Sequence, residues 1–212
     1  MEILDPQLQL YLETHCDPEP EALKKINRET HLKQLKPNML SGHFQGRLLS
    51  MLSKLINPKL ILEIGSFTGY ATICLAEGLT EGGKVHTIEV NPEQEETLRK
   101  NFELSGFANR IELHIGDAKQ VIFGFIDQIF DICFIDADKK SNLTYFELII
   151  DKIRPGGLII IDNVLWKGKV CGEATDADTE LFRKLNDAIT VNTQVEKLIL
   201  PVRDGVFVIR KK

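Results

Sequence analysis

The sequence predicts an α/β fold: a Rossmann-like, seven-stranded, mostly parallel sheet with helices on both faces, an antiparallel C-terminal hairpin and a helical N-terminal extension. Three observations carry that expectation. From Lys59 onward, short apolar runs alternate with longer helical patterns, as in successive strand–helix units. The first apolar run enters a glycine-bearing turn, Glu63-Ile-Gly65-Ser-Phe-Thr-Gly69-Tyr70, of the kind found at the ligand-binding end of such sheets. Two later runs, Ile132-Cys-Phe-Ile-Asp136-Ala-Asp138-Lys139 and Leu158-Ile-Ile-Ile-Asp162-Asn163, pass from apolar strand into acidic residues. With 212 residues, 43% of them hydrophobic, the chain suffices for one such domain with a full core. Residues 1–212 are therefore read as a single domain, with 1–57 the helical extension and 58–212 the Rossmann-like core.

In the extension, Asp17-Pro18 is expected to be an N-cap followed by Pro at the first helical position, with Glu19 and Glu21 suiting the helix dipole. Leu23, Ile26, Leu32 and Leu35 are expected to share a face, and Pro37 to end the element. After the loop Asn38–Gly42, Leu48, Leu49, Leu52, Leu55 and Ile56 have the spacing of a buried helical stripe. The core then reads as strand 60–64, helix 68–79, strand 85–90, a helix capped by Asn91-Pro92 and running to Ser105, strand 111–115, helix 118–125, strand 131–135 and helix 142–153. Pro155-Gly-Gly157 is expected to turn into a fifth strand, followed by a helix over 178–190. Strands 196–200 and 206–210, joined by Pro201–Gly205, close the chain as a hairpin.

A net charge of -5 and a pI near 5.6 argue against a phosphate-coating nucleic-acid binder. The opening Met1–Asp5 lacks the basic and apolar regions of a signal peptide, and no apolar run is long enough to span a bilayer. Cys16, Cys74, Cys133 and Cys171 have neither zinc-ligand nor redox-pair spacing. A cytoplasmic protein with reduced thiols is expected.

Glycines in the first turn let the backbone bend tightly and let a ligand approach. Glu89 ends the second strand, where a carboxylate accepts both hydroxyls of a ribose. The Gly65-x-x-x-Gly69 spacing differs from the dinucleotide fingerprint, and Glu63 beside the loop repels a pyrophosphate but attracts a cation. S-adenosylmethionine, with an ammonium, a sulfonium and no phosphate, suits that charge. Asp117 after the third strand is placed to accept from an adenine amino group. Asp136, Asp162 and Asn163 offer hard oxygens for Mg²⁺, Mn²⁺ or Ca²⁺, and Lys139 follows three residues after Asp136. Either Asp138 or Asp162 alone could instead cap a helix, and Trp166 could be a substrate wall or a core aromatic.

The motifs Glu-Ile-Gly-x-x-Thr-Gly-Tyr, Ile-Asp-Ala-Asp-Lys, Gly-Gly-x-Ile-x-x-Asp-Asn-x-Leu-Trp and Leu-Pro-Val-x-Asp-Gly together resemble the cation-dependent O-methyltransferases. That family includes the caffeoyl-CoA and catechol O-methyltransferases and their bacterial relatives. The resemblance implies metal ligation by Asp136, Asp162 and Asn163. It implies cofactor contacts at Glu63, Gly65, Ser66, Glu89, Ala118 and Asp138, with Asp136, Gly69 and Tyr70 completing that set and Met39 and Ser41 covering the methionine moiety. Ala71 stands where the family often has Ser, which removes one hydroxyl contact to the cofactor. Lys167 stands where the plant enzymes have Asn, at a position that touches substrate. Asn142 replaces an aromatic, although Tyr145 remains. These departures put caffeoyl-CoA itself in question.

The expected function is therefore methyl transfer from S-adenosylmethionine to a hydroxyl of a catechol-like small molecule, assisted by a divalent cation, Mg²⁺ first. Asp136 helps hold the metal, Lys139 acts as general base, and Trp166 and Lys167 border the substrate. The alternative is a tRNA hydroxyuridine O-methyltransferase of the same fold, with Lys167, Lys169, Arg203, Arg210, Lys211 and Lys212 as a basic rim. The family's habit of forming dimers implies a homodimer, to which the extension contributes.

Overall fold

The computed structural model describes residues 5–212; residues 1–4, part of the segment inspected for a signal sequence, lie outside them. Helix α1 (Pro6–Thr14) starts at Asp5, whose carboxylate accepts from Gln7 N at 2.8 Å. Helix α2 spans Glu21–Lys33, so the Asp17-Pro18 cap expected from sequence does not form. Pro20 disfavours helical backbone at Glu19 and delays the start until after itself. Leu23 and Ile26 are buried, but Leu32 is 71% exposed and Leu35, beyond the helix end, fully so. The inward face continues instead through Thr30, whose hydroxyl donates to Thr68 Oγ1 at 3.1 Å.

Helix α3 (Gly42–Ile56) also departs from the expected stripe. Leu49 is buried, yet its inward neighbours are Gln45, Gly46, Ser50 and Ser53, while Leu55 is exposed. Small and polar residues face inward because α4 (Tyr70–Ala76) packs very close. A Cβ on Gly46 would lie 2.7 Å from the Tyr70 ring, and Ser53 Oγ donates to Leu75 O at 2.6 Å.

The sheet contains β1 (Leu60–Ile64), β2 (Lys84–Glu89), β3 (Ile111–Ile115), β4 (Phe130–Ile135), β5 (Ile153–Ile161), β6 (Val195–Leu200) and β7 (Val206–Lys211). Their order is β3-β2-β1-β4-β5-β7-β6, with β1 to β5 parallel and β7 antiparallel to both β5 and β6. The predicted seven-stranded, mostly parallel sheet is thus present, with β7 inserted inside the edge formed by β6. Pro155-Gly-Gly157 lies within β5 as a bulge, since pairing jumps from Phe130–Ile153 to Ile132–Leu158.

The remaining helices are α5 (Glu95–Ser105), α6 (Ala118–Gly124), α7 (Asn142–Ile150) and α8 (Ala177–Val191). Helix α7 is shorter than expected because Ile153 already belongs to β5. Helix α4 begins at Tyr70 because Gly69, at φ 81°, adopts the left-handed conformation. Strand alternation divides the core. Leu62, Ile64, Cys133, Ile135, Ile159 and Phe207 pack with residues of α6, α7 and α8. Ile61, Val85, Ile132, Phe134 and Ile160 pack with residues of α2 to α5. The same alternation carries Glu63 and Glu89 onto the second face. No helix among the described residues is long and apolar enough to cross a membrane.

Candidate active site

The order of strands reverses between β1 and β4, where open α/β sheets leave a crevice at the carboxyl ends. Asp136 N donates to Ile64 O at 2.9 Å, Gly65 N to Ile88 O at 2.9 Å and Asp162 N to Ile135 O at 3.1 Å. These bonds line up Glu89, Gly65, Asp136 and Asp162 along consecutive strand ends.

The loop after β1 has positive φ at Gly65 (98°), Phe67 (51°) and Gly69 (81°). Glu89 holds it: one carboxylate oxygen accepts from Phe67 N at 2.8 Å and the other from Asn91 N at 2.9 Å. Glycine is required here for packing as well as for conformation. A Cβ on Gly65 would run into the Asp136 carbonyl, and one on Gly69 would lie 2.6 Å from the Phe102 ring. Packing and conformation thus require these glycines independently of the ligand access expected of them. The Tyr70 side chain is also committed elsewhere, because its hydroxyl donates to Glu19 Oε1 at 2.5 Å.

Glu63 is fully buried, and burial pushes its carboxyl up to about 8 despite bonds from Thr72 and Thr87 to Oε2. Its Oε1 has no hydrogen-bond partner among the described residues. Ser66 Oγ bonds Thr87 Oγ1 at 2.5 Å, so it belongs to the same buried network. An unpartnered carboxylate oxygen beneath a tight loop fits a cationic ligand better than a phosphate.

Asp136 and Asp162 follow the ends of the paired strands β4 and β5. Burial, then the neighbouring Asp162, raises the Asp136 carboxyl well above the usual carboxylate range, while Arg203 opposes the shift. Burial raises Asp162 as well, offset by Gln45, Arg203 and the Asn163 backbone. Gln45 Nε2 donates to Asp162 Oδ2 at 2.8 Å, and Asn163 N donates to Oδ1 at 2.7 Å. Asn163 itself sits at φ 65°, a conformation that Asn tolerates. Two crowded carboxylates followed by an amide oxygen suit a hard divalent cation.

Toward α8, Lys139 Nζ lies 3.5 Å from the Trp166 ring centroid and 3.8 Å from Asp178 Oδ2. Trp166 stacks on Phe182 with centroids 5.1 Å apart, and its Nε1 has no partner among the described residues. Its packing on Phe182 matches the core-aromatic reading. Lys167 is exposed, its backbone N–H donating to Asp204. Asp138 accepts from the Tyr145 hydroxyl at 2.9 Å. Asp117 caps α6 by accepting from Lys119 N at 2.8 Å, beside buried Ala118; Ala71, on α4 and on the other face of the sheet, is buried as well. That cap uses one Asp117 oxygen.

Sequence reasoning missed Gln45 entirely and misplaced Arg203. Arg203, at φ 49°, donates to Leu40 O at 2.6 Å, Ser41 O at 2.7 Å and Asn38 O at 3.0 Å. It ties the β6–β7 turn to the loop bearing buried Ser41 and half-exposed Met39. The expected basic rim is largely self-occupied: Lys169 pairs with Asp176, Arg210 with Glu196, and Lys211 and Lys212 donate to carbonyls of Ile150 and Thr193. These partners are invisible to spacing rules.

The O-methyltransferase family model matches residues 12–212. The chain belongs to the O-methyltransferase family. It is 36% identical to caffeoyl-CoA O-methyltransferase 1 of Nicotiana tabacum over 98% of this chain and 92% of that protein. The Petroselinum crispum caffeoyl-CoA O-methyltransferase is 34% identical over 98% and 91%. Among solved structures, an O-methyltransferase from Bacillus cereus in complex with S-adenosylhomocysteine superposes with a TM-score of 0.89 at 30% identity, covering 97% of each chain. The Streptomyces achromogenes O-methyltransferase TomG, in complex with S-adenosylmethionine, gives 0.89 at 27% identity over 97% and 96%. The family expected from the motifs is borne out.

Proposed function

We propose that this chain transfers a methyl group from S-adenosylmethionine to one hydroxyl of a catechol-like small molecule, with a divalent cation held by Asp136, Asp162 and Asn163. The observation that carries the reading is the pair of half-buried Asp136 and buried Asp162 at adjacent strand ends, where the charge of Asp162 raises the Asp136 carboxyl and a cation would relieve it. The cofactors bound in the Bacillus and Streptomyces relatives, and the caffeoyl-CoA named for the plant relatives, support the same direction.

When bound, the cation supplies the charge that acidifies a phenol and the sulfonium supplies an electrophilic methyl. The chain's own residues do the rest. Glu89, fixed by two backbone N–H groups, keeps lone pairs for the ribose hydroxyls. Glu63 Oε1 is the acceptor for an ammonium, and the free oxygen of Asp117 the acceptor for adenine. Ala118 and Asp138 border the same ligand, while Met39 and Ser41 close over it on a loop held by Arg203. Lys139 Nζ takes the hydroxyl proton, and Asp178 holds the resulting ammonium. Trp166, backed by Phe182, walls the acceptor, with Lys167 at the rim. Holding oxygen, carbon and sulfur in line contributes much of the acceleration.

A homodimer is part of this reading. Phe44, Leu48, Met51 and Leu55 share the outer face of α3, with Met51 53% and Leu55 71% exposed, and α1 leaves Leu10 and Tyr11 exposed nearby. The free cysteines suit a reducing, cytoplasmic compartment. Transfer of a labelled methyl group to caffeic acid, lost in excess chelator, tests the function. Labelling of hypomodified tRNA in preference to any catechol would overturn it.

A further inference from the structure

On the opposite face of the sheet from the carboxylate pair, three ligand-type side chains converge with no part in the chemistry above. His86 on β2 is the register partner of Glu112 on β3, and His114 follows two residues later on the same face of β3. His86 Nδ1 lies 3.0 Å from His114 Nε2 and 3.4 Å from Glu112 Oε2, and the three ligand atoms all lie within 4.8 Å of one another. Ligand atoms held tetrahedrally about 2.05 Å from one zinc-like ion stand about 3.3 Å apart, so the two separations from His86 are close to those of a coordinated set, and closing the His114–Glu112 separation needs only a side-chain adjustment.

The surroundings agree. Phe125 and Phe130 pack edge-on against the His86 ring, at 5.1 and 6.2 Å between centroids, and shield one side. Burial lowers both histidines below their ordinary value, which keeps them neutral and able to ligate. The other oxygen of Glu112 is fixed by Lys84. Glu112 is partly exposed, which leaves a coordination position for water. The existing contact between the imidazoles is a hydrogen bond. A metal takes the place of its proton, which moves to the outer nitrogen of the same ring.

We propose that His86, Glu112 and His114 form a second metal site, taking a zinc- or cobalt-type divalent ion through two imidazoles and a carboxylate. Nitrogen ligands separate its preference from that of the all-oxygen catalytic set. Its place in the fold gives it a structural task, because β3 is the outermost strand on its side of the sheet and the ion staples it to β2.

The test uses the full chain, metal-stripped, with Asp136→Asn and Asp162→Asn introduced so that the catalytic site cannot report. Removing two crowded carboxylates should leave this protein folded. Titration with Co²⁺ should give one equivalent and a visible ligand-field band of tetrahedral type, and Zn²⁺ should displace it and raise Tm. His114→Gln or Glu112→Gln, both at partly exposed positions, should weaken the metal at least tenfold while circular dichroism stays native. Absence of the band and of any Tm rise, or equal affinity in the His114→Gln protein, would overturn the proposal. Neither result bears on methyl transfer, since the oxygen-donor site is disabled throughout.

Discussion

Gln45, fully buried on α3, donates from Nε2 to Asp162 Oδ2 at 2.8 Å, so a residue of the N-terminal helices orients a carboxylate at the end of β5. The bond fixes which Asp162 lone pairs remain for a ligand. Gln45→Leu preserves approximate volume and removes the donor. It should raise the Mg²⁺ concentration for half-maximal activity by about 10–100-fold, the usual cost of losing an outer partner of a metal ligand. An unchanged Mg²⁺ dependence would mean that Asp162 needs no such orientation.

Asp136→Ala separates metal from cofactor. Turnover should fall to background, while S-adenosylmethionine affinity stays within a few fold, because Glu89 ends β2 and Asp117 caps α6. The apo-protein should also melt higher than the parent, since a half-buried carboxyl raised by burial and by Asp162 has been removed. Calorimetry and thermal melts check both. Full parental activity in excess chelator would end the metal assignment.

The strand–helix alternation and the run of acidic strand ends were legible because short apolar runs and terminal Asp residues are local signals, whereas the strand order, with β7 inside β6, is set by long-range pairing. Asp136, Asp162 and Glu89 all arrive where such patterns put them. The extension was read less well. Leu32 and Leu55 look like core by spacing, yet the buried faces of α2 and α3 are finished by Thr30, Gln45, Ser50 and Ser53. Polar residues occupy an interior only when specific partners await them, and those partners come from elements far away in sequence. Gln45 and Asp162 are 117 residues apart, and Arg203 reaches back 163 residues to Leu40. Charge alone made Arg203 look like a surface residue; only the folded loop shows that its guanidinium is saturated by carbonyls.

Glu89 anchors the loop after β1 through Phe67 N and also accepts from Asn91 N, in addition to the ribose contact proposed for it. Glu89→Ala should weaken S-adenosylmethionine binding by about 1–3 kcal/mol, as for lost hydrogen bonds to a charged acceptor. Glu89→Asp keeps two oxygens but is one methylene too short to reach both N–H groups, so it should be nearly as harmful. Parental affinity in Glu89→Asp by calorimetry would show that the anchoring does not matter.

Glu63 makes apo-stability depend on pH. Its folded value of about 8 lies above an ordinary carboxyl at 4.5, so the folded state holds a proton that the unfolded state has released. Stability is then fully present below about pH 4.5 and declines as pH rises toward 8. Asp136 and Asp162 shift in the same direction and add to the slope. Glu63→Gln should flatten the fall in Tm between pH 5 and 8 without abolishing it. An unaltered slope would show that Glu63 is ionised in the fold at neutral pH.

Lys139 is the residue whose position asks most of the chemistry. Its Nζ rests over Trp166 and against Asp178, and in the proposed reaction Asp178 would pair with the ammonium formed when Lys139 takes the proton. Lys139→Ala should lower kcat by about 10²–10⁴-fold while leaving cofactor affinity nearly unchanged, the range for removing a general base. The loss should shrink at high pH, and with an acidic acceptor such as a nitrocatechol, because the hydroxyl then arrives already ionised. Lys139→Arg should keep the stacking on Trp166 and the pair with Asp178 yet fail to rescue, since a guanidinium does not give up its proton in this range. Recovery of activity by Lys139→Arg, or an equal loss for acidic and ordinary acceptors at every pH, would assign Lys139 to positioning the substrate over Trp166 and leave proton removal to solvent.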